Sequence, residues 1–190
     1  TACTQKNNQT QTTSQNRTLT APTGAVVTVE PEDGQWTMPA KNYASTRFSG
    51  LEDINTGNAA NLKLAWSFST GLVRGHEAAP IVANHTMYVV TPFPNIVYAL
   101  DLTQPGGPVK YEPNPLSSAQ GVACCDVVNR GGVYSNGKIF FNTLDNHTIA
   151  LDAATGKEIW KTKVGEINLG ESMTMAPLVV KDKVLVGNSG

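Results

Sequence analysis

Three segments of this 190-residue chain align without gaps: "PIVANHTMYVV" from Pro80, "GVYSNGKIFFN" from Gly132 and "PLVVKDKVLVG" from Pro177, at offsets of 52 and 45 residues. Each is an apolar run, a polar turn and a second apolar run. Asn136-Gly137 in the second copy is a strong hairpin signal, because both residue types accept the left-handed backbone that a two-residue turn requires. A second landmark keeps nearly the same spacing: Ala99-Leu100-Asp101 in "YALDLTQPGG" matches Ala150-Leu151-Asp152 in "IALDAATGKEIW" at an offset of 51. Four short strands recurring at about this period describe an all-β fold, the β-propeller, in which each repeat is a blade that must stack on its neighbours to bury its faces. A β-sandwich with accidental similarity is the alternative, but it gives no reason for two separate landmarks to share one offset.

A propeller closes with about four to eight blades. Two full repeats and the start of a third are visible, so the chain is expected to hold about the first three blades of a larger ring. Upstream, "LKLAWSFS" alternates Leu62, Leu64, Trp66 and Phe68 onto one face and is expected to be a strand.

Composition narrows the function classes. The chain is 40% hydrophobic and 15% charged with a formal net charge of −1, enough for a core and without the excess charge that would attract nucleic acid. No apolar run reaches the ~18–20 residues of a membrane helix. The first twenty residues differ in kind: fifteen are Thr, Gln, Asn or Ser and none is aromatic. Such a segment buries too little to offset its ordering entropy, so residues 1–24 are expected to be a disordered leader and 25–190 the propeller part. Cys3 follows "TA" in a manner that resembles the end of a bacterial lipoprotein signal. That implies a lipid anchor at Cys3 and a periplasmic location; a free cysteine or a processing boundary is the alternative.

Cys124 and Cys125 are adjacent. Their Cα atoms lie about 3.8 Å apart across a trans peptide, against roughly 4.4–6.8 Å in ordinary disulfides. A strained disulfide, two free thiols and half of a metal site all remain open on the residues alone, although zinc sites favour spaced cysteines with further partners.

"ALDAATGKEIW" resembles the tryptophan-docking repeat of quinoprotein dehydrogenases, whose cofactor is pyrroloquinoline quinone (PQQ). Non-catalytic propellers share that repeat, including an outer-membrane assembly lipoprotein, so a scaffold lipoprotein is the competing function. The first copy departs from the pattern: it has two extra residues, and Tyr111 stands where Trp would. "GHEAAP" (75–80), "ACCDVVNRG" (123–131) and "SMTMAP" (172–177) separate the readings. With "NYASTRFSGLEDINTGNAANLKLAWSF", they resemble PQQ-dependent methanol and ethanol dehydrogenases in order and spacing. "TPFP" and "SMTMAPLVV" are similar to the methanol-oxidising, lanthanide-using branch.

The resemblance implies an eight-bladed ring when complete and oxidation of a small primary alcohol. It also implies Ca²⁺ or a lanthanide ion polarising the quinone, a c-type cytochrome as electron acceptor, and a homodimer. On this resemblance Cys124 and Cys125 form a disulfide ring that packs on one face of the quinone. Arg130 meets its anionic groups, Glu77 hydrogen-bonds its rim and Thr174 contacts it. Ser189 and Gly190 begin a loop that touches it. The family's metal-ligating glutamate is expected about two residues past Gly190 and its catalytic aspartate further on, so the 190 residues alone are expected to be inactive. His76 is expected to be structural. "GNSG" at the end could instead open a hydrolase nucleophile elbow, which needs a strand-to-helix turn.

Overall fold

The computed structural model describes residues 17–20, 26–29, 32–118, 123 and 126–190. Cys3, Cys124 and Cys125 lie outside them. Strands β1 (Arg17–Thr20) and β2 (Val26–Val29) pair as an antiparallel hairpin across the boundary expected at residue 24.

Two four-stranded antiparallel meanders follow. The first blade is β3 (Ile81–Ala83), β4 (Thr86–Val90), β5 (Val97–Asp101) and β6 (Val109–Tyr111). The second is β7 (Gly132–Ser135), β8 (Lys138–Asn142), β9 (His147–Asp152) and β10 (Glu158–Lys163). Strands β11 (Leu178–Val180) and β12 (Lys183–Leu185) open a third. The aligned segments are therefore the first hairpin of each blade. Their turns share the left-handed backbone the sequence called for: Asn84 and His85 (φ +50° and +58°), Asn136 and Gly137 (+48° and +73°), and Lys181 (+55°).

Blade two shows how the repeat builds a core. Ile139, Phe141, Ile149 and Leu151 point to one face and pack with Ile81, Tyr88, Val90, Val97 and Ala99 of blade one. Phe140, Ala150 and Val133 point to the other and pack with Val179 of blade three. Period-two alternation sends successive side chains to opposite faces, and here both faces meet a neighbour. That is why β9 is buried along its middle rather than on alternate residues.

Blades are also joined by aromatic rings seated on glycines. A Cβ on Gly156 (φ +72°) would overlap the Tyr111 ring, and the Tyr111 hydroxyl donates to Ala153 O at 2.6 Å. So the tyrosine that replaces the expected tryptophan docks on the next blade. Gly107 makes the same kind of seat, where a Cβ would come 3.0 Å from the Trp66 ring.

The expected strand at 62–68 does not form among the described residues. Trp66 and Phe68 pack, the latter edge-on to Tyr98 with centroids 5.0 Å apart. Leu62 and Leu64 stay 62% and 83% exposed. The segment is extended and has the alternation of a strand, but no described strand lies beside it to close a hydrogen-bond ladder.

The stretch 36–43 crosses the inner edges of all three blades. Trp36 pairs with Val82 of β3, Thr37 O accepts from Tyr134 N of β7 at 2.8 Å, and the Tyr43 hydroxyl donates to Val179 O of β11 at 2.5 Å. Glu32 fastens this strap, accepting from Lys41 Nζ (2.9 Å), Ser49 Oγ (2.8 Å) and the amides of Gly34 and Gly50 (2.9 and 2.7 Å). Burial opposes its charge, but these hydrogen bonds prevail and hold its pKa at about 2.

Candidate functional site

β3, β7 and β11 are the first strands of their blades, and all begin at the same end of the propeller. A residue just ahead of each is therefore carried toward the same place. Glu77 precedes β3, Arg130 precedes β7 and Thr174 precedes β11, and the three meet. Arg130 Nη2 lies 3.2 Å from Glu77 Oε2, while Arg130 Nη1 donates to Thr174 Oγ1 at 2.7 Å. The backbone repeats the link, Arg130 N donating to Thr174 O at 2.9 Å. The guanidinium and carboxylate are 54% and 47% exposed, so they remain open to a ligand.

Two buried asparagines fix this arrangement from below. Asn129 Nδ2 donates to Asn142 O and Asn129 Oδ1 accepts from Gly131 N, both at 2.8 Å. Asn142 Nδ2 in turn donates to Met175 O at 3.1 Å. Gly131 adopts φ +106°, and a Cβ there would sit 3.2 Å from Ala79 O. Only glycine lets the chain pass so close to the Glu77 loop and still aim Arg130 at it.

Ser189 and Gly190 join through the same loop. Ser189 and Ser172 exchange backbone hydrogen bonds of 2.8 and 3.0 Å, two residues from Thr174. Gly190 lies against Glu171, so close that a Cβ would come within 2.8 Å of it. Ser189 thus belongs to a β-bridge, which gives the nucleophile-elbow reading no support. His76 spends both ring nitrogens locally, against Thr70 Oγ1 (2.8 Å) and Arg74 O (2.7 Å), as a loop-forming residue would. Glu77 and Arg130 line a cavity of about 450 Å³ together with Ala79, Met175, Tyr43 and Arg47. Among the described residues no group of three or more His, Cys, Asp or Glu could hold a metal ion.

Of the seven cofactor residues expected from the sequence, Glu77, Arg130 and Thr174 are in contact, while Ser189 and Gly190 lie against Ser172 and Glu171, in the same loop as Thr174. Cys124 and Cys125 fall outside the described residues. Sequence reasoning missed Asn129 and Asn142. Position beside Arg130 was the one available signal for the first; nothing marked the second.

The chemistry of this set suits a flat polyanion. A planar guanidinium can fork onto a carboxylate, a hydroxyl can donate or accept, and a carboxylate can accept from a ring N–H or hydroxyl. Residues 36–190 match the PQQ family described as "Glucose/ethanol/alcohol dehydrogenase, beta-propeller domain". The chain is 59% identical to the lanthanide-dependent methanol dehydrogenase of Methylacidiphilum fumariolicum (strain SolV) over 87% of its own length and 27% of the relative's. It is 46% identical to methanol dehydrogenase [cytochrome c] subunit 1 of Methylobacterium organophilum, covering 87% and 28%. The solved europium-containing methanol dehydrogenase superposes with a TM-score of 0.80 at 60% identity, over 82% of this chain and 27% of that one. The chain therefore spans about a quarter of the length of the relatives it matches. On a match extending from the strap through all three blades, the chain belongs to the PQQ-dependent glucose/ethanol/alcohol dehydrogenase β-propeller family.

Proposed function

We propose that the full-length protein is a PQQ-dependent dehydrogenase that oxidises a small primary alcohol, methanol being the first candidate, to the aldehyde. A lanthanide or Ca²⁺ ion assists and a c-type cytochrome accepts the electrons. The observation that carries this reading is the Glu77–Arg130–Thr174 contact, in which three separate blades each place one polar group at a shared end of the ring. Relatives named as lanthanide-dependent methanol dehydrogenase and as a cytochrome c methanol dehydrogenase subunit support the metal, alcohol and acceptor. A scaffold lipoprotein would account for the repeat but not for this contact.

PQQ supplies a quinone that takes up the two electrons released by the alcohol. Arg130 binds its anionic rim and Thr174 orients the guanidinium. Glu77 accepts a hydrogen bond from the rim and holds Arg130 in register. Ser189 and Gly190 would extend the wall, and Cys124 with Cys125, as the family resemblance implies, would form a bonded pair that covers one face and excludes water. The leader and Cys3 fit export to the periplasm, with lipidation as the means of attachment.

The test is PQQ titration into metal-loaded apo full-length protein, following cofactor absorbance and alcohol-dependent dye reduction. Arg130→Ala is expected to weaken PQQ binding about ten- to a hundredfold, the range for losing a charge-assisted hydrogen bond. Arg130→Lys should recover part of it, because a point charge cannot reproduce the planar fork. Parent-like binding and turnover in Arg130→Ala would remove Arg130 from the cofactor site.

A further inference from the structure

Four stretches of chain converge around Gly165. They are the β8–β9 turn at Asn146, the link after β10 that holds Gly165 itself, the loop ahead of β11 at Glu171, and the segment 187–190 after β12. A Cβ on Gly165 would come 2.8 Å from Asn188 Nδ2, 2.9 Å from Asn146 Cγ and 2.9 Å from Glu171 Oε2. Its φ lies outside the left-handed region, so space rather than backbone freedom calls for the glycine.

Hydrogen bonds hold the first three stretches in register. Asn146 is fully buried. Its Nδ2 donates to Glu171 O at 2.7 Å, and its backbone O accepts from Val164 N at 2.8 Å. Glu171 Oε2 accepts in turn from Glu166 N at 2.5 Å. Asn146 Oδ1 has no hydrogen-bond partner among the described residues. Burying an unpaired acceptor is unfavourable, so the asparagine is kept in place by its Nδ2 and backbone bonds.

The fourth stretch lies on the other three. Besides the backbone bridge between Ser172 and Ser189, their hydroxyls stand 3.3 Å apart. Gly187 N donates to Met175 Sδ at 3.0 Å. Gly190 is pressed so closely on Glu171 that a Cβ would come 2.8 Å from both its Cα and its Cγ. Ser172 and Met175 flank Thr174, whose Oγ1 accepts from Arg130. The junction is therefore continuous with the candidate site. A ligand-facing group is only as well placed as the groups that hold it by packing and hydrogen bonds, and Asn146, Gly165 and Glu171 hold both strands of this bridge.

We propose that Asn146, Gly165 and Glu171 are positioning residues that lock the segment 187–190 onto the Thr174 loop, so that Thr174, Ser189 and Gly190 face a ligand as one piece. Service to PQQ rests on the function proposed above; the lock itself does not. The experiment measures two quantities in the full-length protein: hydrogen exchange of the Ser172 and Ser189 amides without cofactor, and the PQQ dissociation constant. Glu171→Ala and Gly165→Ala should each speed exchange at both amides and weaken PQQ binding by about tenfold, the effect of losing one net hydrogen bond. Glu171→Gln keeps an acceptor for Glu166 N and should return both toward the parent value. Asp182→Ala, in the exposed β11–β12 turn, should change neither. The core amides of β8 and β9 should exchange at the parent rate in every variant. Should either alanine variant not fold, the other decides. Parent-like exchange at Ser172 and Ser189 would overturn the lock, and so would core amides that speed up by the same factor, since the residues would then be merely structural. Faster exchange with parent-like PQQ binding would overturn the service to the cofactor. A parent that binds no PQQ would defeat the proposed function instead, while the exchange rates would still decide whether the segment is locked.

Discussion

The two ends of the blades treat the repeat differently. At the end where the β5–β6 and β9–β10 turns lie, the copies do the same thing twice. Ala99 and Ala150 are fully buried, Asp101 and Asp152 each accept from a threonine in the turn, and an aromatic ring sits on Gly107 or Gly156. At the other end the copies diverge. Asn95 Oδ1 accepts from Leu144 N across the blade boundary, whereas Asn146 reaches beyond its blade by donating Nδ2 to Glu171 O and its Oδ1 has no partner among the described residues, and the residues ahead of the three inner strands are a glutamate, an arginine and a threonine. The repeated end is where the ring is held together. The divergent end also has bonds between blades, from Leu144 N to Asn95 Oδ1 and from Arg130 N to Thr174 O, but they differ from copy to copy, and the candidate site lies there. Three variants test this division, in decreasing order of effect on stability.

The largest effect belongs to the repeated end. Gly156 and Gly137 have nearly the same backbone, φ +72° and +73°, but a Cβ on Gly156 meets Tyr111 while one on Gly137 meets nothing within 4 Å. Alanine at either position costs about 1–2 kcal/mol for the left-handed conformation. At Gly156 the collision adds about 1–3 kcal/mol of overpacking. Urea unfolding of the two full-length variants should therefore place Gly156→Ala well below Gly137→Ala. Equal midpoints would mean that the ring-on-glycine seat does not join the blades.

That seat also shows how much was legible in the sequence. The hairpins, the turn chemistry and the Ala-Leu-Asp landmark could be read because they are local and repeated. Tyr111 looked like a defect in the pattern, yet an aromatic of similar shape satisfies the same glycine and adds a hydrogen bond. The strand expected at Leu62–Phe68 failed for the opposite reason. Alternation records which faces a segment could bury, but a strand also needs a neighbour to bond with, and sequence periodicity says nothing of the neighbour. At the site, Glu77, Arg130 and Thr174 could be named only from the resemblance of their motifs. Nothing in their spacing shows that three inner strands begin at one end. Asn129 and Asn142 were silent, because a buried polar residue reads like any solvated one until its partners are seen.

A middle-sized effect belongs to the strap that crosses the inner edges. Glu32 has its folded pKa depressed from 4.5 to about 2. A carboxyl lowered in this way contributes stability that is fully present above its unfolded pKa and is lost as pH falls through the folded value. Glu32→Gln should cost about 1–2 kcal/mol at pH 7, the scale of a charge-assisted hydrogen bond. The difference from the parent should shrink between about pH 4.5 and about pH 2. Urea midpoints of both full-length proteins across that range give the curve. A difference independent of pH would show that the Lys41, Ser49 and backbone contacts do not require the charge.

The smallest effect is expected at the divergent end, and it is the sharpest test of the comparison. Arg130 and Glu77 form a pair that is about half exposed, and such pairs contribute only about 0–1 kcal/mol. Arg130 also donates to Thr174 Oγ1, but a half-exposed hydroxyl left behind can turn to water. The backbone link from Arg130 N to Thr174 O survives the substitution, as do both Asn129 bonds. Arg130→Ala in the cofactor-free full-length protein should therefore unfold within about 1 kcal/mol of the parent, while its PQQ affinity falls by the larger factor given above. That split is what a ligand-facing side chain must show where the backbone, not the side chain, carries the link between blades. If Arg130→Ala destabilises the apo-protein as much as Gly156→Ala does, the arginine is a blade linker. The division between a repeated end that holds the ring and a divergent end that serves a ligand would then fail at its central residue.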